Sequence, residues 1–385
     1  MDPMESTPST TTPPPPPAAH PRGRISALVR QTHRENARRD GDDNQLWVEA
    51  DSLCRSINSR FHHRHDEPDA AQQHQQTLAA DAMERLEWDM HDLWHLFYHA
   101  SSTSFSHSAM FSPLITPYSM YIVNISEDSP AADRLALQIV QMREQGPLVR
   151  DSPGEGAVKA AAAATSDGHV WTDLPFLVSD MAQYWVQDHA AMSSPRRLRF
   201  AKFLAKLASA GVGRDDGLCT GIALRAFRQA LEMPRPLGTL ADQDQVEDAS
   251  RSEAGLSVAA LLPSVNVWFS WAGLKLIQLC EAESPDSAAQ GEYNPGPLVG
   301  SAGTADSVEH GAPLGFSIRR WLFWLTRLEN LAGSFRDAGQ DALAAFATGT
   351  MDNMLITVEG TGGRLRRELA AAYLRGEVQH RPISI

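Results

Sequence analysis

The amino-acid sequence predicts an all-α protein, an irregular multi-helix bundle that follows a disordered, proline-rich N-terminus. Beyond residue 45, apolar residues recur in nearly every segment at the spacing of helical turns. No series of alternating apolar and polar residues indicates a set of strands, and no fixed repeat length is present. These observations favour an irregular bundle over a sheet-based fold or a regular solenoid.

The N-terminal 44 residues form an arm of different composition. Residues 1–24 are rich in Ser, Thr and Pro, which cannot bury enough apolar surface to offset the entropy of ordering, so we expect disorder. Basic residues follow at 22–39. They are typical of a solvated helix on a loose tail, and a nuclear-import or phosphate-binding arm is the alternative.

Residues 45–77 predict a helix and a His/Gln-rich linker, and residues 78–377 predict a single helical domain. Mobile loops are expected near 101–128, 147–168, 238–253 and 284–314, where Gly, Pro, Ser or acidic residues are frequent. Apolar stripes and capping residues predict helices between these loops, in chain order near 78–100, at 130–146, beyond Asp173, at 194–211 and 217–232, from Ser264, from Ser317, at 340–358 and at 363–375. For the third of these helices, Asp173 is the predicted N-cap.

The stretch GFSIRRWLFWLTRLENLAGSF, residues 315–335, is unusually aromatic. Ser317 is a predicted N-cap, and the residues at the two staple positions around it are Phe316 and Trp321. Most of the aromatic residues continue one apolar stripe and are therefore expected in the core. The arginines at 319, 320 and 327 fall off the stripe, where we expect them to stay solvated. Phe323 points away from the stripe, so either another helix covers it or it belongs to a contact surface.

Several segments together resemble an uncharacterised family of fungal proteins that is catalogued as a domain of unknown function. The segments are HDLWHLFYHA, VWTDLPFLVSDMAQYW, RFAKFLAKLASAGV, ALRAFRQALE and GFSIRRWLFWLTRLENL. In the last of them the family pattern falls on Phe316, Ser317, Arg320, Trp321, Phe323 and Trp324. The resemblance covers about residues 80–360, and it implies a helical fold and a fungal, intracellular origin without any catalytic residue. The proline-rich start, the 101–128 loop and Arg319 depart from the family pattern.

Charge and cysteine content limit the class of protein. The net charge of −13 opposes binding to nucleic acid, so no nucleic-acid partner is expected. Three cysteines far apart in sequence favour a reducing compartment. The N-terminus lacks the basic start and apolar run of a signal peptide, so we expect a cytoplasmic or nuclear protein that is not secreted. The uncharged segment 254–274 could span a bilayer by length, but its polar residues favour a buried helix, and no membrane partner is expected.

Histidine clusters suggest a metal site only weakly. His91, His95 and His99 recur every four residues, and three ligands along a straight helix span about 12 Å, too far for one tetrahedral ion. Two of them could bind an ion with a third ligand from elsewhere, but half-buried histidines beside the stripe are the favoured interpretation. His62, His63 and His65 lie in the low-complexity linker, where weak adventitious binding is the common outcome. No metal ligand, cofactor-binding residue or cofactor is predicted.

No catalytic residue is predicted either. Glycines at 211–217 and 360–363 follow helices and lack nucleotide-binding spacing, and Asp188 and His189 point in different directions on a helix. We therefore expect a soluble helical interaction or scaffold protein with a protein partner, and the sequence leaves open whether the protein is an enzyme. The alternative is a small-molecule-binding protein or enzyme with its site between helices of the bundle. A deep cavity with converging polar groups would favour the alternative, and a filled core with an exposed groove would favour the interaction protein.

Overall fold

The computed structural model describes residues 48–50, 52–57, 72–102, 130–145, 164–213, 216–242, 246–282, 294–301 and 315–379. The predictions for the N-terminal arm, for His62, His63 and His65 in the linker, and for most of the loops at 101–128, 147–168 and 284–314 lie outside the described residues. Among the described residues, 48–50 and 52–57 are helical, as the sequence predicts.

The helices confirm the predicted all-α class. They are α1 (Gln72–Ser102), α2 (Pro130–Gln145), α3 (Leu177–Asp188), α4 (Ser194–Ser209), α5 (the contiguous segments Leu218–Ala223, Leu224–Phe227 and Arg228–Glu232), α6 (Val258–Ala282), α7 (Pro297–Ser301), α8 (Ile318–Asp337), α9 (Asp341–Glu359) and α10 (Arg364–Arg375). Two 3₁₀ turns lie at Leu240–Asp242 and Glu253–Gly255. In the described residues, strand pairing is confined to β1 (Ala164–Thr165) and β2 (Gly168–His169), an antiparallel hairpin in which Thr165 faces Gly168.

The core is built around α6, which packs against α4 and α9, while α8 packs against α9. By length and composition α6 is the one helix in the described part of the chain that could cross a membrane, but 72% of its most apolar window is buried inside the protein. Trp268 and Phe269 on this helix are almost completely buried. Burial of this kind is what the sequence predicts for a central core helix.

The start of α3 corrects one prediction. The helix begins at Leu177, and Asp173 does not cap it but accepts a hydrogen bond from the backbone of His169 at 2.8 Å. Leu174 and Phe176 have φ angles of 51° and 64°, so the backbone on both sides of Pro175 is left-handed and cannot be helical. The residue before a proline also avoids the helical region.

The aromatic stretch forms the core face of α8, as predicted, and Ser317 caps the helix by accepting a hydrogen bond from Arg320 N at 3.2 Å. The expectation of a solvated Arg320 is wrong, because its side chain is completely buried and forms an ion pair with Glu232, which is also completely buried. Phe323 is half-buried and packs against the core. Arg319 is exposed.

Glu232 connects α5 to α8 and to the residue before α7. Its carboxylate accepts hydrogen bonds from Arg320 Nε at 2.9 Å and Nη2 at 2.8 Å, from Trp324 Nε1 at 2.7 Å and from Gly296 N at 2.8 Å. Glu232 is the last residue of α5, which ends in a wide, π-helical turn. Such a turn rotates the residues beyond it relative to a regular helix. Arg320 and Trp324 of the aromatic stretch therefore connect α8 to the end of α5, and Gly296 connects the residue before α7 to the same carboxylate.

Candidate functional site

A row of polar contacts joins α1 to α3, and we call it the polar ladder. Its three pairs follow in the same order along both helices, which therefore run parallel: His91 with Asp180, His95 with Tyr184, and Tyr98 with Asp188. The spacing on each helix is three or four residues, so each row lies on one helical face. Two segments that are 89 residues apart in sequence thus form one continuous polar seam.

The first pair has the shortest contact. His91 Nδ1 lies 2.7 Å from Asp180 Oδ2, and the two side chains are 43% and 9% exposed. Since a carboxylate only accepts hydrogen bonds, Nδ1 carries the proton. The hydrogen bond to Asp180 raises the pKa of His91 above its ordinary value, against the opposing effect of burial, and the charges of Glu87 and Asp92 add to the increase.

One aromatic ring stacks on His91, and a second aromatic residue lies one turn away on α1. Phe176 stacks on the imidazole with a centroid distance of 4.5 Å and an interplanar angle of 29°. Trp88, three residues earlier on α1 and hence on the same side of the helix, is 45% exposed. We call Trp88, His91, Phe176 and Asp180 the His91 site.

The loop before α3 fixes Phe176 in this position. Trp94 Nε1 donates a hydrogen bond to Pro175 O at 2.7 Å, and Asp167 accepts one from Phe176 N at 3.2 Å. The left-handed backbone at Leu174 and Phe176 is unfavourable for residues with bulky side chains, by about 1–3 kcal/mol for each residue. Backbone strain of this kind is concentrated at functional sites, so it marks the His91 site as a candidate.

The other two pairs are also partly buried. His95 Nδ1 lies 3.2 Å from the Tyr184 hydroxyl, and His95 Nε2 lies 2.9 Å from His99 Nε2. The Tyr98 hydroxyl donates to Asp188 at 2.8 Å and accepts a hydrogen bond from Arg196 Nη2 at 2.8 Å. These contacts fix the aromatic and histidine rings between α1, α3 and α4.

The structure separates the predicted histidine candidates. His91 binds Asp180, whereas His95 and His99 contact one another. Among the described residues, no group of three or more His, Cys, Asp or Glu side chains could hold a metal ion.

Asp188 and His189 point apart, as predicted, because Asp188 accepts a hydrogen bond from Tyr98 while His189 stacks on Trp185 with a centroid distance of 4.1 Å. Burial, together with the charges of Arg197 and Arg225, lowers the pKa of His189 to about 3. Its imidazole is therefore neutral at physiological pH.

Sequence reasoning missed Asp180 and Tyr184 as partners of the histidines. Both lie on the α3 helix at the same four-residue spacing as His91 and His95 on α1. Two rows of polar residues with equal spacing on two amphipathic helices are a signal that the rows could pair. The spacing does not show which helices are neighbours in the fold.

Comparison with known proteins gives a family and no activity. The DUF3632 family, described as a protein of unknown function, matches residues 120–328. Oxopyrrolidines biosynthesis cluster protein G from Penicillium oxalicum (strain 114-2 / CGMCC 5302) is 32% identical over 293 residues, which are 75% of this chain and 72% of the relative. No solved structure matches the chain significantly. The sequence resemblance to an uncharacterised fungal family is thereby confirmed, and the chain belongs to the DUF3632 family of proteins of unknown function.

Proposed function

We propose that the protein binds a small organic molecule at the His91 site and exchanges a proton with it. The observation that carries the proposal is the half-exposed imidazole of His91, which a largely buried carboxylate holds at 2.7 Å. A carboxylate in this position fixes the ring orientation and the tautomer. Because Nδ1 is engaged and the ring is 43% exposed, Nε2 is the nitrogen left for a ligand.

The electrostatics of the pair favour uptake of a proton by His91. In the neutral imidazole Nε2 is a hydrogen-bond acceptor and a base, and after protonation it is a donor. The raised pKa of His91 makes its imidazole a stronger base than an ordinary histidine, because the hydrogen bond to Asp180 stabilises the protonated form. Asp180 lies in the first turn of α3, where the positive end of the helix dipole stabilises its negative charge.

The surroundings favour one class of ligand. The Trp88 ring is 45% exposed one turn from His91, so a flat apolar or aromatic group would find contact area there. Glu87 and Asp92 contribute negative charge near His91. An anionic ligand would be repelled, and a neutral or cationic molecule fits better.

The name of the similar Penicillium protein also supports a small-molecule ligand, because it places that protein in a biosynthesis cluster for oxopyrrolidines. A chain similar to a biosynthesis cluster protein is more readily explained by a small organic ligand than by a purely structural role. For this function we propose a cytoplasmic or nuclear location, which the three free, buried cysteines support.

The proposal is tested by native mass spectrometry of the protein isolated gently from its own cell extract. We expect an added mass of small-molecule size on the wild-type chain and its loss in His91→Ala and in Asp180→Asn. The control is His169→Ala, which removes another exposed histidine with an aspartate partner, Asp173 at 3.3 Å. A bare wild-type chain, or an added mass that survives both substitutions at the site, would refute the proposal.

A second candidate function, binding of a protein partner, is favoured by one surface feature. Trp271 and Leu274 lie one turn apart on α6 and are 39% and 60% exposed, although the rest of this helix is mostly buried. Lys206 Nζ lies 4.0 Å from the centroid of the Trp271 ring, and Lys202 Nζ lies 5.3 Å from it. An apolar surface beside lysines suits a partner segment that is both apolar and acidic.

This second function predicts that the protein isolated from its extract carries another polypeptide, which Leu274→Asp should release. Val246→Asp is the control, because Val246 is 74% exposed and lies on a different segment. Release by both substitutions, or by neither, would contradict a role for the α6 surface.

A further inference from the structure

We propose that His189 is a pH-sensitive switch that opens the junction between α3 and α4, residues 189–193, when its imidazole is protonated. The switch is a property of the folded chain and does not depend on a ligand at the His91 site. His189 directly follows the last residue of α3, and its backbone N–H donates to Trp185 O at 3.3 Å. The residue is completely enclosed, with an exposed fraction of 2%.

The imidazole of His189 lies in surroundings that suit its neutral form. One ring face stacks on the Trp185 indole, with the planes inclined by 22°. Within the described part of the chain, neither ring nitrogen has a hydrogen-bond partner. A neutral imidazole has one N–H donor, whereas the protonated ring has two donors and a full charge, which are costly to bury without acceptors. Protonation of the enclosed ring is therefore unfavourable.

The charges on neighbouring helices oppose protonation as well. Burial makes the largest contribution to the low pKa of His189, and the charges of Arg197 on α4 and Arg225 on α5 lower the pKa further. Arg197 is fixed in this place, because its Nη1 donates to Met192 O at 2.7 Å. A protonated His189 would thus meet two cations.

The carboxylates near His189 are engaged by other groups. Asp188, the preceding residue, accepts a hydrogen bond from the Tyr98 hydroxyl of α1 at 2.8 Å. Glu253 pairs with Arg225 at 2.9 Å. Since these carboxylates already have partners, a protonated ring gains more by leaving the junction and reaching water than by staying enclosed.

The contacts that close the junction are few in kind and lie directly after His189. Asp248 N donates to Ala191 O at 2.8 Å, and Arg251 Nη1 donates to Met192 O at 3.0 Å. The α3 helix packs against α1 and the start of α5, whereas α8 and α9 pack against each other. Because parts of a protein open at different free energies, the junction can open while α8 and α9 stay folded.

The pH range of the switch follows from the pKa of His189 in its two states. In the closed junction the pKa is about 3, and once the ring reaches water its ordinary value of 6.5 applies. Because the closed-state pKa is lowered, the stabilisation of the closed state is complete above pH 6.5 and is lost as the pH falls towards 3. Between pH 7.5 and pH 5 the ratio of open to closed molecules should therefore rise about thirtyfold.

Hydrogen exchange of the full-length chain at pH 7.5 and pH 5, corrected for the intrinsic exchange rates, tests the switch. We expect the protection of the Met192 and Asp248 amides to fall about thirtyfold and to be lower than that of α8 and α9. In His189→Phe, which keeps a ring beside Trp185 but cannot be protonated, the two amides should keep their protection. The control His169→Phe removes a histidine side chain that is 55% exposed, and it should behave as the wild type does.

The comparison between these chains isolates His189. The raised pKa of His91 contributes to the pH dependence with the opposite sign, but this residue is present in all three chains and its effect cancels.

A second measurement needs no substitution and so does not depend on whether the variants fold. The ring-proton NMR signals of His189 in the folded wild type should not titrate between pH 7.5 and pH 5. Titration of these signals near pH 6.5 would overturn the proposal. An equal loss of protection in the wild type and His189→Phe, or junction amides that exchange no faster than those of α8 and α9, would overturn it too.

Discussion

Replacing Glu232 by Gln should cost much of the stability of the protein while changing its shape very little. The substitution is nearly isosteric, but it removes the negative charge that faces the completely buried Arg320. It also replaces one carboxylate oxygen by an NH₂ group. Each oxygen of Glu232 accepts two hydrogen bonds, so in either amide orientation two donors lose their acceptor.

The size of the effect follows from burial. Breaking a buried ion pair from one side costs about 3–5 kcal/mol, because the remaining charge stays unpaired in a medium of low dielectric constant. Four separate hydrogen bonds at about 1.5–3 kcal/mol each would suggest a larger sum, but contributions within one network are not additive. We therefore expect the free energy of unfolding to fall by about 3–5 kcal/mol.

The assay is denaturant unfolding followed by tryptophan fluorescence, with Glu377→Gln as the matched control. Glu377 pairs with Arg375 at 2.6 Å, but the side chains are 53% and 50% exposed, so no measurable change is expected. The double variant Glu232→Gln with Arg320→Met should regain part of the lost stability, since it removes the unpaired cation. Equal effects of Glu232→Gln and Glu377→Gln, or strictly additive effects in the double variant, would refute the argument.

Three further predictions concern other parts of the molecule. The pKa of His91, measured by NMR, should fall in Asp180→Asn, and an unchanged pKa would contradict the pairing. In the wild type, the contribution of this pair to stability is complete below pH 6.5, the ordinary pKa of histidine. It is lost as the pH rises through the higher pKa of the folded state. Burial raises the pKa of the Cys219 thiol to about 12, so thiol reagents at pH 8 should modify it only after denaturation, and rapid modification of the folded chain would contradict its burial. Gly349→Ala in α9 should raise the free energy of unfolding by about 0.5–1 kcal/mol, because the added Cβ meets nothing within 4 Å. Gly296→Ala should lower the free energy of unfolding, because the added Cβ would lie 2.6 Å from a backbone oxygen. The reverse order of the two variants in denaturant unfolding would contradict the packing.

The helical fold could be predicted from the sequence because helix formation and apolar burial leave local signals. The stripe and the cap of α8 are examples, and so is the uncharged run that becomes α6. Local signals could not predict the partner of Arg320, because Glu232 lies 88 residues earlier in the sequence and a wide turn at the end of α5 sets its direction. One local signal was available, since Arg320 lies one turn before Trp324 on the edge of the apolar stripe.

The same limit applies to the candidate site. The four-residue spacing of His91, His95 and His99 is visible in the sequence, and helix geometry argues against a single ion bound by all three. Their different roles depend on α3, which supplies Asp180 to one histidine and Tyr184 to another. No property of α1 alone distinguishes an oriented acid–base group from a pair of facing imidazoles.

The Glu232 network and the His91 site differ in how their polar groups are hydrogen-bonded, and this difference explains their different roles. The carboxylate of Glu232, the partner of Arg320 and Trp324, already accepts four hydrogen bonds inside a closed core, so this network accounts for the aromatic motif without a ligand. The His91 site has the opposite character, with a buried carboxylate, a half-exposed imidazole and strained backbone beside it. The family match at residues 120–328 includes Asp180 but not His91. The family match therefore does not extend to His91, and the ligand-binding role must be tested on α1.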